Sequence, residues 1–439
     1  MKLRPALFAC SILLLSPAVH ADFRAAIAVR VVTPNPLLPV SGGVGASNPV
    51  GKKEGELTVR ALVLADEATR VAIVSADFLG FPAVLGNKAR AGVKGLRPEN
   101  ILIGATHTHS APDCYGFPDH SGKFATDLKY LELVCDRIAE AINEALDQLR
   151  PARLKIATGE ANGKIAFNYY AEQLYDPRCH VIQVIAADGA PLATLVNYAI
   201  HPEVLGSEAG VLSPDLVGPL YDRIGEKGGG TGIFMNSAQG GMVTADNRGP
   251  GGKSVRTWPE CVRIGALLAD EALRIVQSAP EQKNPKLFCA ARTISFPVES
   301  PLLRAVMLSS PLHYPTNDPN RVSTQLNLVN IGNAQILTIP GEALPNIGYY
   351  LKRKMRGEHN LLFGLTNDAF GYILTRVDWS SFRIYNYVSR TCLGEMTGEI
   401  YMDEALKLVA ESPAPEPPTS GSAKPAGVAQ VEDLNQFCR

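Results

Sequence analysis

Two apolar runs joined by a helical stretch constrain the fold of this chain more than any other feature of its sequence. RVAIVSADF covers residues 70–78 and is rich in β-branched residues, and ILIGAT begins at Ile101. Two strands connected through a helix form a parallel βαβ unit, whose functional side chains gather at the carboxyl ends of the strands. Asp77 and His107 close these two runs. The sequence therefore predicts an α/β fold with a candidate site at this edge.

The rest of the chain favours the same fold class. Residues 128–149 combine helical periodicity with good helix formers, and residues 263–277 predict another helix. Further apolar runs predict strands at CHVIQVIA, ATLVNYAIHP, TGIFMNSA, QLNLVNIG and AQILTIPGEA. We expect a mixed sheet with βαβ units flanked by helices, in a single large catalytic domain over residues 22–410.

Charge and the two ends of the sequence indicate the partners and the location. The formal net charge is -1 and there is no basic stripe, which argues against nucleic acid as a partner. Lys2 and Arg4 precede a short apolar run that ends in small residues, so residues 1–21 predict a signal peptide and a secreted or periplasmic protein. Residues 411–439 are rich in Pro, Ser, Ala and Gly and predict a flexible low-complexity tail.

Histidine and carboxylate side chains that close separate apolar runs form a candidate metal site. His107 and His109 lie on the same side of an extended segment, His201 follows TLVNYAI, and Glu342 follows a Pro-Gly turn. A zinc site needs imidazole and carboxylate ligands around an open position, and these ligands can be far apart in sequence. From the residues alone, His201 as a turn residue and Glu342 as a helix cap remain alternatives.

These segments resemble the N-terminal catalytic domain of the neutral/alkaline non-lysosomal ceramidases. That family carries an ATHTHS stretch, a strand ending in His, a PGE turn and a Gly-Tyr segment. The chain has GATHTHSAP, NYAIHP, IPGEAL and GYILT in the same order, and the resemblance runs from about residue 24 to 405. It implies an exported zinc-dependent amidohydrolase that cleaves an N-acyl amide bond with zinc-activated water, with a ceramide-like lipid as the first candidate substrate.

The resemblance implies the zinc ligands and the residue that moves protons. His107, His201, Glu342 and Tyr372 correspond to the family's zinc ligands. His109 corresponds to the second histidine of the pair, which lies close to the substrate and can carry a proton to the leaving amine.

Other residues are expected to support this chemistry. A tyrosine hydroxyl of RIYNYVSR, from Tyr385 or Tyr387, would hold the developing oxyanion. Asp77 and Asp215 are expected to support the site from outside the ligand set. Asp215 would orient His201 or His109 by a hydrogen bond, and its alternative role is that of an acid at a helix N-terminus.

The chain departs from the family pattern in two places. The family has a serine with an assigned active-site role, and QGGMVTAD places Thr244 at that position and Met242 at the position of a family aspartate. Thr244 therefore stays a catalytic candidate in a changed neighbourhood. The family also follows an active-site Asn with Arg, whereas Asn168 is followed by Tyr169, so these two residues predict a changed substrate-binding region.

Two other functions stay open at this point. A metal-free Ser/Thr-type hydrolase would need a base that activates Thr244, and a non-catalytic exported binding protein would keep the fold without turnover. For the hydrolase that the resemblance implies, we expect a small-molecule or lipid amide as substrate and a transient contact with a membrane surface. No protein partner is evident in the sequence.

Overall fold

The computed structural model describes residues 23–315 and 317–417. The predicted signal peptide lies outside the described residues. The described helices are α1 (Ala83–Ala91), α2 (Leu128–Asp147), α3 (Val217–Glu226), α4 (Trp258–Gln277), α5 (Pro301–Ser309), α6 (Pro345–Lys354), α7 (Asn386–Arg390) and α8 (Thr397–Glu411), with short 3₁₀-helices at Pro98–Asn100, Ser207–Ala209, Pro250–Gly252 and Arg383–Tyr385. The described strands are β1 (Arg24–Val31), β2 (Val40–Ser41), β3 (Lys52–Lys53), β4 (Thr58–Ala65), β5 (Arg70–Ala76), β6 (Ile101–Ala105), β7 (Ala111–Pro112), β8 (Arg150–Glu160), β9 (Ala166–Asn168), β10 (Arg178–Ala186), β11 (Pro191–Tyr198), β12 (Val211–Leu212), β13 (Thr231–Asn236), β14 (Val243–Ala245), β15 (Glu281–Gln282), β16 (Leu287–Pro297), β17 (Arg321–Ile331), β18 (Ala334–Thr338), β19 (Glu342–Ala343), β20 (His359–Phe363) and β21 (Tyr372–Ile373).

The strands form two main sheets. The larger has the order β13-β11-β10-β8-β1-β4-β5-β6, and β15 also pairs with β8. Its β5–β6 and β11–β13 pairs are parallel, and its other pairs are antiparallel. Because α1 lies between β5 and β6 in the chain, the predicted βαβ unit is confirmed. The smaller sheet has the order β16-β17-β18-β20 and ends in the parallel pair β18–β20.

The two sheets pack face to face between two layers of helices. Leu62 and Leu195 of the larger sheet share an apolar core with Val329 and Ile336 of the smaller one. Helices α1 to α4 cover the other face of the larger sheet, and α6 and α8 cover the outer face of the smaller one. The predicted α/β class with a mixed sheet and flanking helices is confirmed. The sequence did not separate the two sheets, because strands buried on both faces have continuous apolar runs.

The two long helices begin where their sequences allow capping. The side chain of Asp127 accepts a hydrogen bond from the N–H of Tyr130 at 3.0 Å and starts α2, which ends two residues before the predicted position 149. Helix α4 begins at Trp258, ahead of the predicted residue 263, because Pro259 fits the first turn of a helix. Among the described helices, none has the length and apolar character needed to cross a membrane.

The packed body extends past the predicted boundary at residue 410. Helix α8 ends at Glu411, the carbonyl of Pro413 accepts from the Asn330 side chain at 2.9 Å, and the N–H of Glu416 donates to the carbonyl of Gly332 at 2.9 Å. Composition predicted a flexible tail here, but these groups find partners at the β17–β18 turn. Pro413 and Glu416 thus contact the packed body, and residues 418–439 of the predicted tail lie outside the described residues.

Candidate active site

One buried asparagine joins the two loops that carry the predicted histidines. His107 follows β6 and His201 follows β11, both after strands that belong to parallel pairs. The side-chain amide of Asn236, the last residue of β13, donates to the carbonyl of Thr106 at 3.1 Å and to the carbonyl of Ile200 at 2.7 Å. Each carbonyl immediately precedes a histidine, so Asn236 fixes both loops at once.

Imidazole rings converge at this point. The ligand nitrogens of His107, His109 and His201 lie within 4.8 Å of one another. The Nδ1 atom of His107 bonds to the carbonyl of Leu79, and Nδ1 of His201 bonds to the carbonyl of Val243 at 2.7 Å. Because a carbonyl can only accept, both Nδ1 atoms carry the hydrogen and both Nε2 atoms can offer a lone pair to the site. Metal-binding imidazoles are held in this way.

The carboxylate of Glu342 lies against these two Nε2 atoms. Its Oε2 is 3.0 Å from Nε2 of His201 and 3.5 Å from Nε2 of His107. Burial raises the pKa of Glu342, but the two imidazoles outweigh burial and hold that pKa well below its usual range. Burial lowers the pKa of His201, but the hydrogen bond to Glu342 raises it above its ordinary value. The lone pairs of the two Nε2 atoms and the carboxylate oxygen of Glu342 face one another in a buried space, where such acceptors need a cation or a proton between them. These three residues therefore fit a metal ion.

His109 and Glu203 lie beside this group. Nε2 of His109 is buried without a hydrogen-bond partner in the described part of the chain, and its Nδ1 is 3.7 Å from the Glu203 carboxylate. Burial lowers the pKa of His109 to about 3, so the ring is neutral near pH 7. Burial raises the pKa of Glu203, but His109 and His201 lower it below its usual value. The sequence did not single out Glu203, because an acid after His-Pro is typical of a turn.

Tyr372 is aligned with Glu342 but bonds elsewhere. The parallel pair β19–β21 places the two residues in register. The Tyr372 hydroxyl donates to the Met242 sulfur at 3.4 Å, and burial raises its pKa well above the ordinary value. Tyr372 therefore lies at the predicted place, although its hydroxyl has a partner outside the predicted ligand set.

The two candidate oxyanion-binding tyrosines occupy different positions. The Tyr387 ring packs edge-on against Tyr372, with centroids 5.9 Å apart, and lines the cavity that contains His107. Tyr385 packs against Tyr170, with centroids 5.8 Å apart, and does not line that cavity. The structure thus places Tyr387 nearer the site than Tyr385.

Thr244 and Tyr169 line a second, polar cavity beside the site. Its open volume is about 1150 Å³ with the solvent-facing mouth included, and Glu203 forms part of its wall. The Thr244 hydroxyl lies on the same wall as Glu203 and helps to lower the pKa of that carboxyl. Tyr169 is 68% exposed.

Asn168 bonds to its own loop and also lines the polar cavity, so its role in substrate binding stays a prediction. Its side-chain amide donates to the carbonyl of Leu174 at 2.7 Å, and its side-chain oxygen accepts from the N–H of Tyr170 at 2.8 Å. The side chain is buried as well. An asparagine that closes a loop on its own backbone has few bonds left for a ligand.

Asp77 bonds to the neighbouring strand β4, and its support of the site stays a prediction. Its Oδ2 accepts from the N–H and from the hydroxyl of Thr58, both at 2.8 Å, and not from a site histidine. Burial raises the pKa of Asp77 to about 6. Asp77 therefore ties the end of β5 to β4, below the loop that carries His107.

Asp215 supports a loop and not an imidazole. Its carboxylate accepts from the N–H groups of Leu205 at 2.9 Å and Leu216 at 2.8 Å. The predicted hydrogen bond from Asp215 to His201 or His109 is absent. The His201 ring bonds to the carbonyl of Val243 and to Glu342. The His109 ring faces Glu203. Asp215 thus closes the loop that follows His201, near the start of α3.

The backbone at the site is strained and tightly packed. His107 has φ 74 and Met242 has φ 69, in the left-handed region that non-glycine residues rarely adopt. A Cβ atom on Gly240 would lie 2.2 Å from the backbone oxygen of Glu342. Such strain persists where the surrounding structure enforces it, which is common at functional sites.

An apolar cavity ends at the histidines. Its open volume is about 810 Å³ with its mouth included, and His107, Glu342 and Tyr372 lie along its wall. The apolar part of the wall comes from Leu79, Phe117, Val306, Met307, Phe370 and Leu393. The fold and the site therefore define a mixed α/β protein with a buried histidine–carboxylate group that can hold a metal ion beside an apolar cavity.

Two curated relatives are similar to part of this chain. Neutral ceramidase A of Dictyostelium discoideum is 28% identical over 179 residues, which cover 35% of this chain and 25% of that protein. Neutral ceramidase B of the same organism is 26% identical over 176 residues, which cover 34% of this chain and 24% of that protein. The match thus spans about a quarter of the length of each relative. No family model matches the chain.

Solved structures are similar over nearly the whole chain. Neutral ceramidase from Pseudomonas aeruginosa superposes with a TM-score of 0.72 at 18% identity, covering 91% of this chain and 76% of that chain. A ceramidase complexed with C2 gives a TM-score of 0.70 at 17% identity, with coverages of 91% and 78%. The chain therefore shares its fold with neutral ceramidases and is similar in sequence to part of two of them, and the predicted resemblance is confirmed.

Proposed function

We propose that this protein is an exported, zinc-dependent amidohydrolase that cleaves the N-acyl amide bond of a ceramide-like lipid. The observation that carries the proposal is the buried group of His107, His201 and Glu342, of which His107 and Glu342 line an apolar cavity. Cleavage of a lipid amide requires an apolar space for the acyl chain and a few polar groups at the carbonyl. The names of the relatives, all ceramidases, support the same reaction here. Export is proposed from residues 1–21 alone.

Zinc suits this ligand chemistry best. Imidazole nitrogens with a carboxylate oxygen are the ligands of many catalytic zinc sites. His107, His201, Glu342 and Tyr372 would hold the ion, and Tyr372 would exchange its bond to Met242 for the metal. A bound zinc ion would polarise the amide carbonyl and make an attacking water more acidic.

His109 would move the proton. Its Nε2 is buried and without a partner among the described residues, and its ring is neutral near pH 7, so it can accept a proton from water and pass it to the leaving nitrogen. Glu203 faces the other ring nitrogen at 3.7 Å and would position the imidazole and stabilise its charged form. Tyr387 lines the apolar cavity and would donate its hydroxyl to the developing oxyanion.

A metal-free hydrolase that uses Thr244 is the second candidate. The observation that favours it is that Thr244 and Glu203 line the same polar cavity, where the carboxylate could act as a base toward the Thr244 hydroxyl. The two candidates differ under chelation. Removal of zinc would abolish hydrolysis by the proposed zinc enzyme and would leave an enzyme with a threonine nucleophile active. Thr244→Val would leave the zinc enzyme active and would abolish hydrolysis by the threonine enzyme.

The test compares two histidine variants of the purified protein. We expect His201→Ala to lose bound zinc, measured by elemental analysis, together with hydrolysis of a soluble short-chain N-acylsphingosine. His120 is exposed and outside the site, so His120→Ala is the matched control and should keep both. Circular dichroism would show that both variants are folded. If His201→Ala retained zinc and turnover, the ligand assignment would be wrong.

A further inference from the structure

Exposed apolar side chains concentrate in one segment that reaches the wall of the apolar cavity at Tyr387. The mouth segment, residues 377–389, carries four of the twelve large apolar side chains that are exposed among the described residues. Val377 is 71% exposed, Phe382 58% and Ile384 48%. The segment also contains Trp379 and Tyr385, which are half-buried. Contiguous exposed apolar groups on a water-facing surface usually mark a place where something else binds.

The mouth segment is continuous with the cavity. Tyr387, within the segment, and Thr391 and Leu393, just after it, line the cavity wall. On α5, Met307 lines the same wall, and its neighbour Leu308 is 58% exposed. Exposed apolar side chains of the mouth segment and of α5 are thus close in the chain to residues that line the space ending at the histidines.

The charges of the mouth segment suit a lipid surface. Arg383 lies between Phe382 and Ile384, is exposed, and makes no ion pair with any residue that the structure describes. The segment's single acid, Asp378, accepts a hydrogen bond from the Thr375 hydroxyl at 2.7 Å. Aromatic side chains, aliphatic side chains and one free guanidinium match the interface of a bilayer, where phosphate groups lie beside acyl chains.

We propose that the mouth segment docks the protein on a lipid bilayer, with Val377, Phe382 and Ile384 inserted and Arg383 on a lipid phosphate. This inference rests on the proposed function, because a bilayer-resident amide could then enter the cavity without crossing water. Since Arg383 and Asp378 cancel in formal charge, docking depends mainly on apolar contact. Zwitterionic vesicles should therefore bind the protein, and anionic lipid should strengthen binding only modestly.

Vesicle sedimentation with the purified full chain tests the proposal. The double variant Val377→Ser/Ile384→Ser changes exposed side chains that do not line the cavity. We expect its partition onto phosphatidylcholine vesicles to fall about tenfold, since each side chain loses apolar contact. The control Leu133→Ser/Val262→Ser changes side chains of similar exposure on α2 and α4, and should bind like the parent.

Hydrolysis of a soluble short-chain amide separates this inference from the proposed function. Both double variants should hydrolyse it at the parental rate, while only Val377→Ser/Ile384→Ser loses activity on amide embedded in vesicles. Vesicle binding without any hydrolysis would overturn the proposed function and support docking. Absence of vesicle binding by the parent, or equal loss in both variants, would overturn docking. Concentration-dependent self-association that only the mouth-segment variant abolishes would also overturn it, by assigning the surface to a second copy.

Discussion

Replacement of Asp77 by asparagine should change how the stability of the fold depends on pH. Burial raises the pKa of this carboxyl to about 6, although Arg60 and Thr58 favour the ionised form. An unfolded chain returns the pKa to about 3.9. The folded protein therefore binds this proton more tightly than the unfolded chain does. The contribution of the protonated Asp77 carboxyl to the free energy of unfolding is fully present below about pH 4 and is lost as pH rises through about 6.

The size of the effect follows from the difference in pKa. About two pKa units at about 1.4 kcal/mol each give about 3 kcal/mol. In Asp77→Asn the amide oxygen can still accept from Thr58, and the amide nitrogen can face the hydroxyl of Tyr221, which lies 3.5 Å from the carboxylate. The variant keeps the packing and removes the titration.

Urea unfolding of the parent and of Asp77→Asn, from pH 4 to pH 8, measures this effect. The free energy of unfolding of the parent relative to the variant should fall by about 3 kcal/mol across the titration and stay flat above pH 7. Asp119→Asn is the control. Hydrogen bonds from Ser121 and Lys123 lower the pKa of that exposed carboxyl, so its contribution has the opposite sign. A parent–variant difference that does not change with pH would refute the argument from burial.

Two substitutions at the site test the neighbours of the histidines. Glu203→Gln should lower the rate of amide hydrolysis by about tenfold to a hundredfold and leave the zinc content unchanged, because it removes the charge that faces His109 while the ligands stay in place. Parallel measurements of turnover and bound metal check this prediction, and loss of metal would contradict it. Gly240→Ala should lower both the thermal unfolding midpoint and the zinc content, because its Cβ would lie 2.2 Å from the backbone oxygen of Glu342. The control is Gly51→Ala, which places its Cβ in open space. Equal behaviour of the two variants would contradict the steric argument.

Local patterns predicted the elements that hold the site. Apolar runs rich in β-branched residues predicted the strands β5, β6, β11 and β13. Polar residues after two of these runs include the histidines whose ligand nitrogens lie within 4.8 Å of one another in the structure. Each histidine could be found because it follows a strand of a parallel pair, β5–β6 or β11–β13, where functional side chains gather at the carboxyl end. Helices α2 and α4 followed from periodicity in the same way, with their ends shifted by capping.

Interactions between distant segments could not be predicted. Asn236 links the two histidine loops, and Glu203 meets His109, through contacts that depend on how the larger sheet brings β13 and β6 together. A single asparagine at the end of an apolar run has no local signature of that role. The partners of the two aspartates could not be predicted either, since Asp77 and Asp215 look like site residues in sequence and their carboxylates accept from backbone and hydroxyl donors nearby.

The departures from the ceramidase pattern fall on one structural element. Tyr169 follows β9, and Met242 and Thr244 lie in or just before β14, and these two strands form a separate two-stranded ribbon. The site histidines follow strands of the larger sheet, and the ribbon meets His201 through the backbone carbonyl of Val243, so side chains of the ribbon can change while this hydrogen bond is kept. Because the ribbon walls the polar cavity and not the apolar one, its changes should alter recognition of the amine half of a substrate. Amides with one acyl chain and different amine halves should therefore differ widely in rate, and a rate that varied with acyl length alone would contradict this assignment.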